Sequence, residues 1–143
     1  MKTLLFLLAL LLPLPAFADA AVTQPVSNPD FEFGSDAIKA KDWDKAVLFL
    51  SSVVKVEPTN ADAQNLLGYA YRNQRKYDLA FKHYNEALRL DPKHKGAHEY
   101  IGEAYILVGN KAKAEEHLAA LERICTKRCD EYQDLARAVA QAK

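Results

Sequence analysis

Between residues 61 and 90 the apolar positions follow the period of the α-helix. They recur at spacings of three and four along the first half of this stretch, at Leu66, Leu67, Ala70 and Tyr71. The pattern predicts one helix from Ala61 to about Asn73, with Asn60 as its N-cap, and a second helix from Tyr77 to Leu90. The second helix is expected to end at Asp91, because the residue before a proline is disfavoured in the helical conformation.

This two-helix arrangement returns every 34 residues. Three glycines and three alanines keep the spacing, at Gly34, Gly68, Gly102, Ala46, Ala80 and Ala114. A fixed period of this length indicates stacked units, each of which buries its apolar face only against its neighbours. The pattern predicts an earlier helix pair at about 29–40 and 43–56, with Asn28 as N-cap and Pro29 at the first helical position. A later pair is predicted at about 94–108 and 111–124.

The repeated residues resemble the tetratricopeptide repeat. The middle unit carries the pattern of that family at Leu67, Gly68, Tyr71, Ala80, Ala87 and Pro92. Tyr84 stands where a phenylalanine is usual, and the third unit departs from the pattern at Leu121 and Thr126. The resemblance implies three repeats, at residues 27–60, 61–94 and 95–126. It also implies an all-α fold, a right-handed superhelix of three helix pairs.

The chain after the third unit predicts one more helix. Within residues 127–143 the apolar side chains fall on one face, at Tyr132, Leu135, Ala136, Val139 and Ala140. Stacked repeats need such a capping helix to cover their exposed edge. Trp43, Tyr77 and the phenylalanines are predicted to pack in the core, because large aromatic side chains are usually buried.

Residues 1–18 have the features of a secretory signal peptide. Lys2 supplies a positive charge, residues 4–12 form an almost unbroken apolar run, and small residues follow it. The run is shorter than the ~20 residues of a membrane-spanning helix. We expect cleavage after Ala18 or, alternatively, after Ala20. The mature protein would then begin with a flexible tail at residues 19–26 and would be periplasmic or secreted.

The composition narrows the function classes. The chain of 143 residues has 19 Lys and Arg against 19 Asp and Glu, so it offers no basic field for nucleic acid. No insertion into a membrane is expected after signal cleavage. The chain has only 5 Gly and lacks the Walker, dinucleotide and nucleophile-elbow motifs. We therefore predict that it is not an enzyme and binds no cofactor.

Two cysteines, Cys125 and Cys129, stand four residues apart before the last predicted helix. Outside the reducing cytosol this spacing permits a disulfide, because the two Cα atoms can approach to ~4.4–6.8 Å. A structural bridge is the favoured interpretation, and free thiols or redox and metal chemistry stay open as alternatives. A cysteine pair followed by such a helix also resembles small exported bacterial tetratricopeptide proteins.

The histidines are weaker candidates for a functional site than the two cysteines. His94 and His98 stand four residues apart and are expected to face each other around the start of one helix. Two imidazole nitrogens without acidic or cysteine ligands make a poor metal site. His98 also occupies a position that the repeat normally fills with an apolar or aromatic side chain. We therefore predict that His98 packs in the core and that the chain holds no metal.

The resemblance implies a binding groove on the concave side, lined by the first helix of each repeat. The expected partner contacts are Phe31, Ile38, Asn65, Tyr69, Arg72, Glu99, Tyr100, Glu103 and Ile106. Some members of the family hold a partner's C-terminal carboxylate with Lys, Asn and Arg side chains. Here only Arg72 is expected to meet an anion, and Glu99 and Glu103 are expected to repel it without a role in stability. The groove should favour a segment with Lys or Arg beside an aromatic or aliphatic anchor.

Together these features predict a non-catalytic adaptor that binds a peptide or protein segment in the bacterial periplasm. Two other functions fit the same sequence. One is a structural subunit of an envelope assembly, which would use the flanks of the stack. The other is a thiol-redox or metal-handling protein that uses Cys125 and Cys129.

Overall fold

The computed structural model describes residues 28–142, and the predicted signal peptide (1–18) and tail (19–26) lie outside this range. The described chain forms seven α-helices and no strand. The helices are α1 (Pro29–Lys39), α2 (Trp43–Val56), α3 (Ala61–Asn73), α4 (Tyr77–Leu90), α5 (Lys95–Leu107), α6 (Lys111–Cys125) and α7 (Asp130–Gln141). The predicted all-α superhelix of three helix pairs with a capping helix is confirmed.

Asparagine side chains cap the N-termini of three of these helices. Asn28, Asn60 and Asn110 each accept a hydrogen bond from a backbone N–H in the first helical turn. These bonds satisfy donors that have no partner within the helix. The predicted caps at Asn28 and Asn60 are therefore confirmed. Gly109 has φ +78°, so the tight turn between α5 and α6 uses a conformation that larger residues disfavour.

Small residues let the helices of a pair approach closely. A Cβ on Gly68 of α3 would lie 2.7 Å from the ring of Tyr84 in α4, and Gly34 makes the equivalent approach in the first pair. The corresponding Gly102 of α5 meets Leu135 of α7 instead, where a Cβ would lie 2.6 Å away. The capping helix α7 therefore packs directly on α5. It contacts the glycine position that faces the second helix of the pair in the first two repeats.

The first helices of the three pairs form one layer. In the part of the chain that the structure describes, α1 contacts α3 and α3 contacts α5, whereas α2, α4 and α6 make no contact with one another. The stack therefore curves with α1, α3 and α5 on its concave side. Since α7 packs against both α5 and α6, it covers the C-terminal end and extends the concave wall.

The N-terminal end of the stack is different, because no helix within residues 28–142 covers it. Leu67 and Ile101 occupy the same position of the second and third repeats and are 1% and 0% exposed. Phe33 occupies that position in the first repeat and is 54% exposed, although its ring lies 5.4 Å from that of Phe49. The prediction that the phenylalanines pack in the core is wrong for Phe33, since no other helix within residues 28–142 covers this face of α1.

Candidate functional site

Three aromatic side chains form a continuous series on the concave side. The ring centroid of Tyr69 in α3 lies 4.7 Å from that of Tyr100 in α5, and 6.0 Å from that of Trp43 at the start of α2. Aromatic rings at these separations attract each other when they are tilted or offset. All three side chains are partly exposed. The series Trp43–Tyr69–Tyr100, which we call the aromatic series, therefore both packs the helices together and leaves aromatic surface accessible to solvent.

Arg72 lies beside the aromatic series and is bonded within the protein. Its guanidinium carbon lies 4.8 Å from the ring centroid of Tyr69 and 5.4 Å from that of Tyr100. Its Nη1 donates to the Tyr100 carbonyl oxygen and to the Glu103 carboxylate. The Arg72 side chain is only 10% exposed. The expectation that Arg72 meets an anion, with Glu103 having no part in stability, is therefore corrected: the two charges compensate each other between α3 and α5.

A pocket of about 320 Å³ opens next to this ion pair. It is lined by residues of three helices: Arg72, Asn73, Glu103, Ile106, Leu107 and Ala138. Leu107 is 59% exposed, so the pocket presents apolar surface to solvent. The volume lies at the lower end of the range for ligand pockets, so the pocket has room for a group of about the size of one large side chain.

Glu99 lies one helical turn before Glu103 on α5 but has no hydrogen bond or ion pair with any described residue. Its burial, together with the negative charges of Glu103, Asp134 and Glu131, raises the pKa of the Glu99 carboxyl to about 7. Desolvation and like charges both disfavour an ionised carboxylate. The groove therefore contains a half-buried acidic group that forms no ion pair of its own within the described chain, and the nearby charge of Arg72 offsets the effect of burial only in part.

The other predicted contact residues differ in exposure. Phe31 and Ile38 are partly buried against the core between α1, α2 and α3, and Ile106 is partly buried beside α7. Asn65 is only 5% exposed, so it lies beneath the surface of the groove. Its Oδ1 atom has no hydrogen-bond partner among the described residues.

Four residues of this surface are not among the contacts that the repeat pattern predicts. Trp43 was expected in the core, and Glu131, Asp134 and Ala138 belong to α7, which lies outside the 34-residue pattern. The available signal was the spacing of three and four along α7, which places those three residues on one face. Only the packing of α7 on α5 directs that face towards the groove.

His94 and His98 do not face each other as expected. His94 caps α5, where it accepts from the Ala97 N–H, and its Nε2 lies 3.0 Å from an Asp62 carboxylate oxygen. His98 is 9% exposed, which confirms the prediction that it packs in the core. Its Nδ1 lies 3.0 Å from the Nδ1 of His117 in α6.

The His98–His117 contact repeats one that is found a repeat earlier. There, Gln64 and His83 occupy the corresponding positions, with Gln64 Oε1 lying 2.7 Å from His83 Nδ1. In the third repeat His98 Nε2 lies 3.1 Å from the Pro92 carbonyl oxygen, which requires an N–H on that nitrogen. His98 Nδ1 then accepts from the His117 Nδ1–H, so this arrangement needs a neutral His98 ring and cannot form when both rings are protonated.

The histidine pair makes the fold sensitive to acid. Burial, and next the charge of His98, lowers the pKa of His117 from 6.5 to about 4, and burial also lowers the pKa of His98. Above about pH 6.5 both rings are neutral in the folded and the unfolded chain. Between pH 6.5 and pH 4 the unfolded chain takes up protons that the folded chain does not, so stability falls as the pH falls.

We expect the substitution His98→Gln to reduce this acid sensitivity, because it copies the Gln64–His83 contact and removes one buried imidazole. The fall in melting temperature between pH 7 and pH 5 should become smaller but should not vanish, because burial also lowers the pKa of His83 and His117. Thermal unfolding followed by circular dichroism at both pH values measures it. Equal falls for wild type and variant would show that the histidine pair does not cause the acid sensitivity.

The two cysteines lie close enough for a disulfide. The structure joins Cys125 and Cys129 with their sulfurs 2.05 Å and their Cα atoms 5.8 Å apart, a Cα separation that suits a disulfide. Between residues 28 and 142, no three His, Cys, Asp or Glu side chains are grouped in a way that could hold a metal ion. None of the seven helices in this range has the length and apolar character needed to cross a membrane.

Comparison with known proteins identifies the repeat. The family model of the tetratricopeptide repeat matches residues 61–94, which are the middle unit of the period. Protein O-mannosyl-transferase TMTC3 of Homo sapiens is 31% identical over 75 residues, which make up 52% of this chain and 8% of that protein. The similarity thus concerns a small part of the length of that relative.

Solved structures extend the likeness to most of the described helices. The TPR2B domain of yeast Sti1, in complex with pHsp70, has a TM-score of 0.71 at 22% identity, covering 80% of this chain and 96% of that one. The first TPR of Spaghetti (RPAP3), bound to the HSP90 peptide SRMEEVD, also has a TM-score of 0.71, at 19% identity, covering 80% and 90%. At these identities the likeness concerns the fold. The chain therefore carries a tetratricopeptide repeat within a tetratricopeptide-type helical stack.

Proposed function

We propose that this protein is a non-catalytic adaptor that binds a peptide or protein segment along its concave groove. The observation that carries the proposal is the aromatic series, which runs without interruption from Trp43 across α3 to Tyr100 on α5. Partly exposed aromatic side chains supply large contact areas and are enriched among the residues that dominate binding energy. A preformed groove also avoids part of the entropic cost of ordering a binding site.

The fold supports this proposal. Tetratricopeptide domains generally mediate protein–protein interactions and are typically non-catalytic, and the Sti1 and RPAP3 domains are described in complexes with pHsp70 and with the peptide SRMEEVD. That peptide carries two glutamates and an aspartate. In the present groove Arg72 is already paired with Glu103. We therefore expect an acidic segment of this kind to be a poor partner.

The proposal includes the cellular compartment in which the protein meets its partner. We propose that the chain is exported to the bacterial periplasm, on the grounds of the signal-like features of residues 1–18. In that compartment Cys125 and Cys129 would form a disulfide that holds the turn between α6 and α7. The partner would then be an exported protein, or an exposed part of one.

A selection of peptides tests the proposed groove. Peptides selected from a random dodecapeptide library on the purified protein should bind the aromatic series, and Tyr69→Ser should weaken their binding by about tenfold or more. Trp43 is the only tryptophan of the chain, and its ring neighbours that of Tyr69, so its fluorescence reports on occupation of the groove. A fluorescence titration therefore gives both the affinity and the location.

Tyr77→Ser is the matched control, because Tyr77 begins α4 in the outer layer. This variant should bind the selected peptides as wild type does. The groove proposal is contradicted if Tyr69→Ser retains wild-type affinity, or if saturating peptide leaves the Trp43 emission unchanged.

A further inference from the structure

The helices α5 and α7 carry two matching stripes at the C-terminal end of the groove. Each stripe has spacings of three and four residues, and the stripes are Glu99, Glu103 and Ile106 on α5 and Glu131, Asp134 and Ala138 on α7. Residues at these spacings lie on one face of a helix. Both stripes are acidic towards their N-terminal ends and apolar towards their C-terminal ends, where Ile106 and Ala138 line the same pocket.

The charges of this region do not balance. Glu103 pairs with Arg72, Glu131 lies 3.4 Å from the Lys95 ammonium, and Asp134 pairs with Arg137 on the same helix. Glu99 has no such partner among the described residues. A half-buried carboxylate without a counter-ion is costly to keep ionised, so an added cation at this position would be stabilised strongly.

Asn65 provides a second, independent observation. This residue of α3 is 5% exposed and its Oδ1 atom lacks a hydrogen-bond partner. Its amide lies against the start of α5, where Nδ2 would be 3.2 Å from a Cβ on Gly96, one turn before Glu99. A buried acceptor without a donor costs free energy, so the contact between α3 and the start of α5 contains a polar group that the described residues leave unsatisfied.

We propose that Glu99 receives the cationic side chain of a Lys or Arg from the bound segment, while a nearby apolar side chain of that segment enters the pocket beside Ile106. This inference rests on the proposed function, since it assigns the chemistry of the partner in the same groove. Charge complementarity then selects basic segments and rejects acidic ones. The pocket supplies the apolar contact area.

The geometry also sets the spacing of the two anchors. Glu99 and Ile106 are seven residues apart on α5, which corresponds to about 10 Å along a helix. An extended chain advances by about 3.3 Å per residue. The cationic and apolar residues of an extended partner should therefore stand about three residues apart, or about seven apart if the partner is helical.

A library selection at pH 8 tests this inference. Random dodecapeptides displayed on phage are selected on wild type, on Glu99→Gln and on Glu115→Gln, the last being an exposed carboxylate of the outer helix α6. Wild type and Glu115→Gln should enrich Lys and Arg about threefold or more over the starting library, at the predicted distance from an apolar residue. Glu99→Gln should lose the basic enrichment and keep the apolar enrichment.

The outcomes separate the two proposals. Enrichment of apolar residues with no basic preference, or with a preference for Asp and Glu, would overturn the role of Glu99 and leave the groove proposal intact. The role of Glu99 would also be overturned if peptides selected on Glu99→Gln were enriched in Lys and Arg as strongly as those selected on wild type. Failure to enrich any peptide on wild type would overturn both.

A stability measurement without any ligand gives an independent readout. Because the pKa of Glu99 is raised in the folded chain, its stability contribution is complete below about pH 4.5 and is lost as the pH rises through about 7. Glu99→Gln should therefore raise the melting temperature at pH 8 by about 2–4 °C and leave it unchanged at pH 4.5. A lower melting temperature at pH 8 would mean that Glu99 already has a stabilising partner within the protein, which would overturn the inference.

Discussion

Replacement of Glu103 by lysine is expected to lower the free energy of unfolding by about 3 kcal/mol, as expected for a largely buried ion pair that loses one partner. The Arg72 side chain is 10% exposed and that of Glu103 is 28% exposed, so solvent compensates little of the lost attraction. The new ammonium group would also lie against the guanidinium. Urea unfolding at pH 7.5, followed by circular dichroism, measures the loss.

Glu99→Lys is the matched control, since it makes the same change one turn earlier on α5. Glu99 has no partner to lose, and the new charge would face Asp134 and Glu131, so the change in stability should stay below about 1 kcal/mol. Equal stability of the Glu103→Lys protein and the wild type would show that the pair with Arg72 does not stabilise the fold. This pair of variants also decides whether one carboxylate is structural and the other available to a partner.

Truncation of Leu67 to alanine is expected to cost about 3 kcal/mol, because a large-to-small change at a buried site loses transfer free energy and leaves a cavity. Leu67 is 1% exposed and belongs to the core that also contains Ala46, Leu50 and Ala70. Its neighbours come from two consecutive helix pairs. The same urea unfolding experiment applies, and a lower midpoint with an unchanged slope would indicate a loss of stability alone.

Phe33→Ala is the control for Leu67, because Phe33 holds the same position one repeat earlier. Because the residue is 54% exposed, its truncation should cost about 1 kcal/mol, since only part of its apolar area leaves water on folding. A loss as large as that of Leu67→Ala would show that something covers the N-terminal end of the stack in solution. The two variants therefore measure how much a preceding repeat contributes at an equivalent position.

The sequence determined the helices, their pairing and the repeat. The bounds of α3, the cap at Asn60 and the small residues at Gly68 and Ala80 all followed from spacings of three, four and 34 residues. These features depend on interactions between residues that are close in sequence, or on a pattern that recurs with a fixed period. The spacings also place Tyr69 and Glu99 on stripes along α3 and α5, and the resemblance to the tetratricopeptide repeat implied that these stripes face the groove.

Only the tertiary structure decided which of these side chains meet. Arg72 pairs with Glu103, 31 residues further along the chain, and His98 bonds to His117 rather than to His94. Spacing along a helix shows which residues share a face, but the contacts between faces depend on the distances and rotations of packed helices. For the same reason the sequence alone could not show that α7 brings its carboxylates beside Glu99. It also could not show that the end of the stack leaves Phe33 exposed.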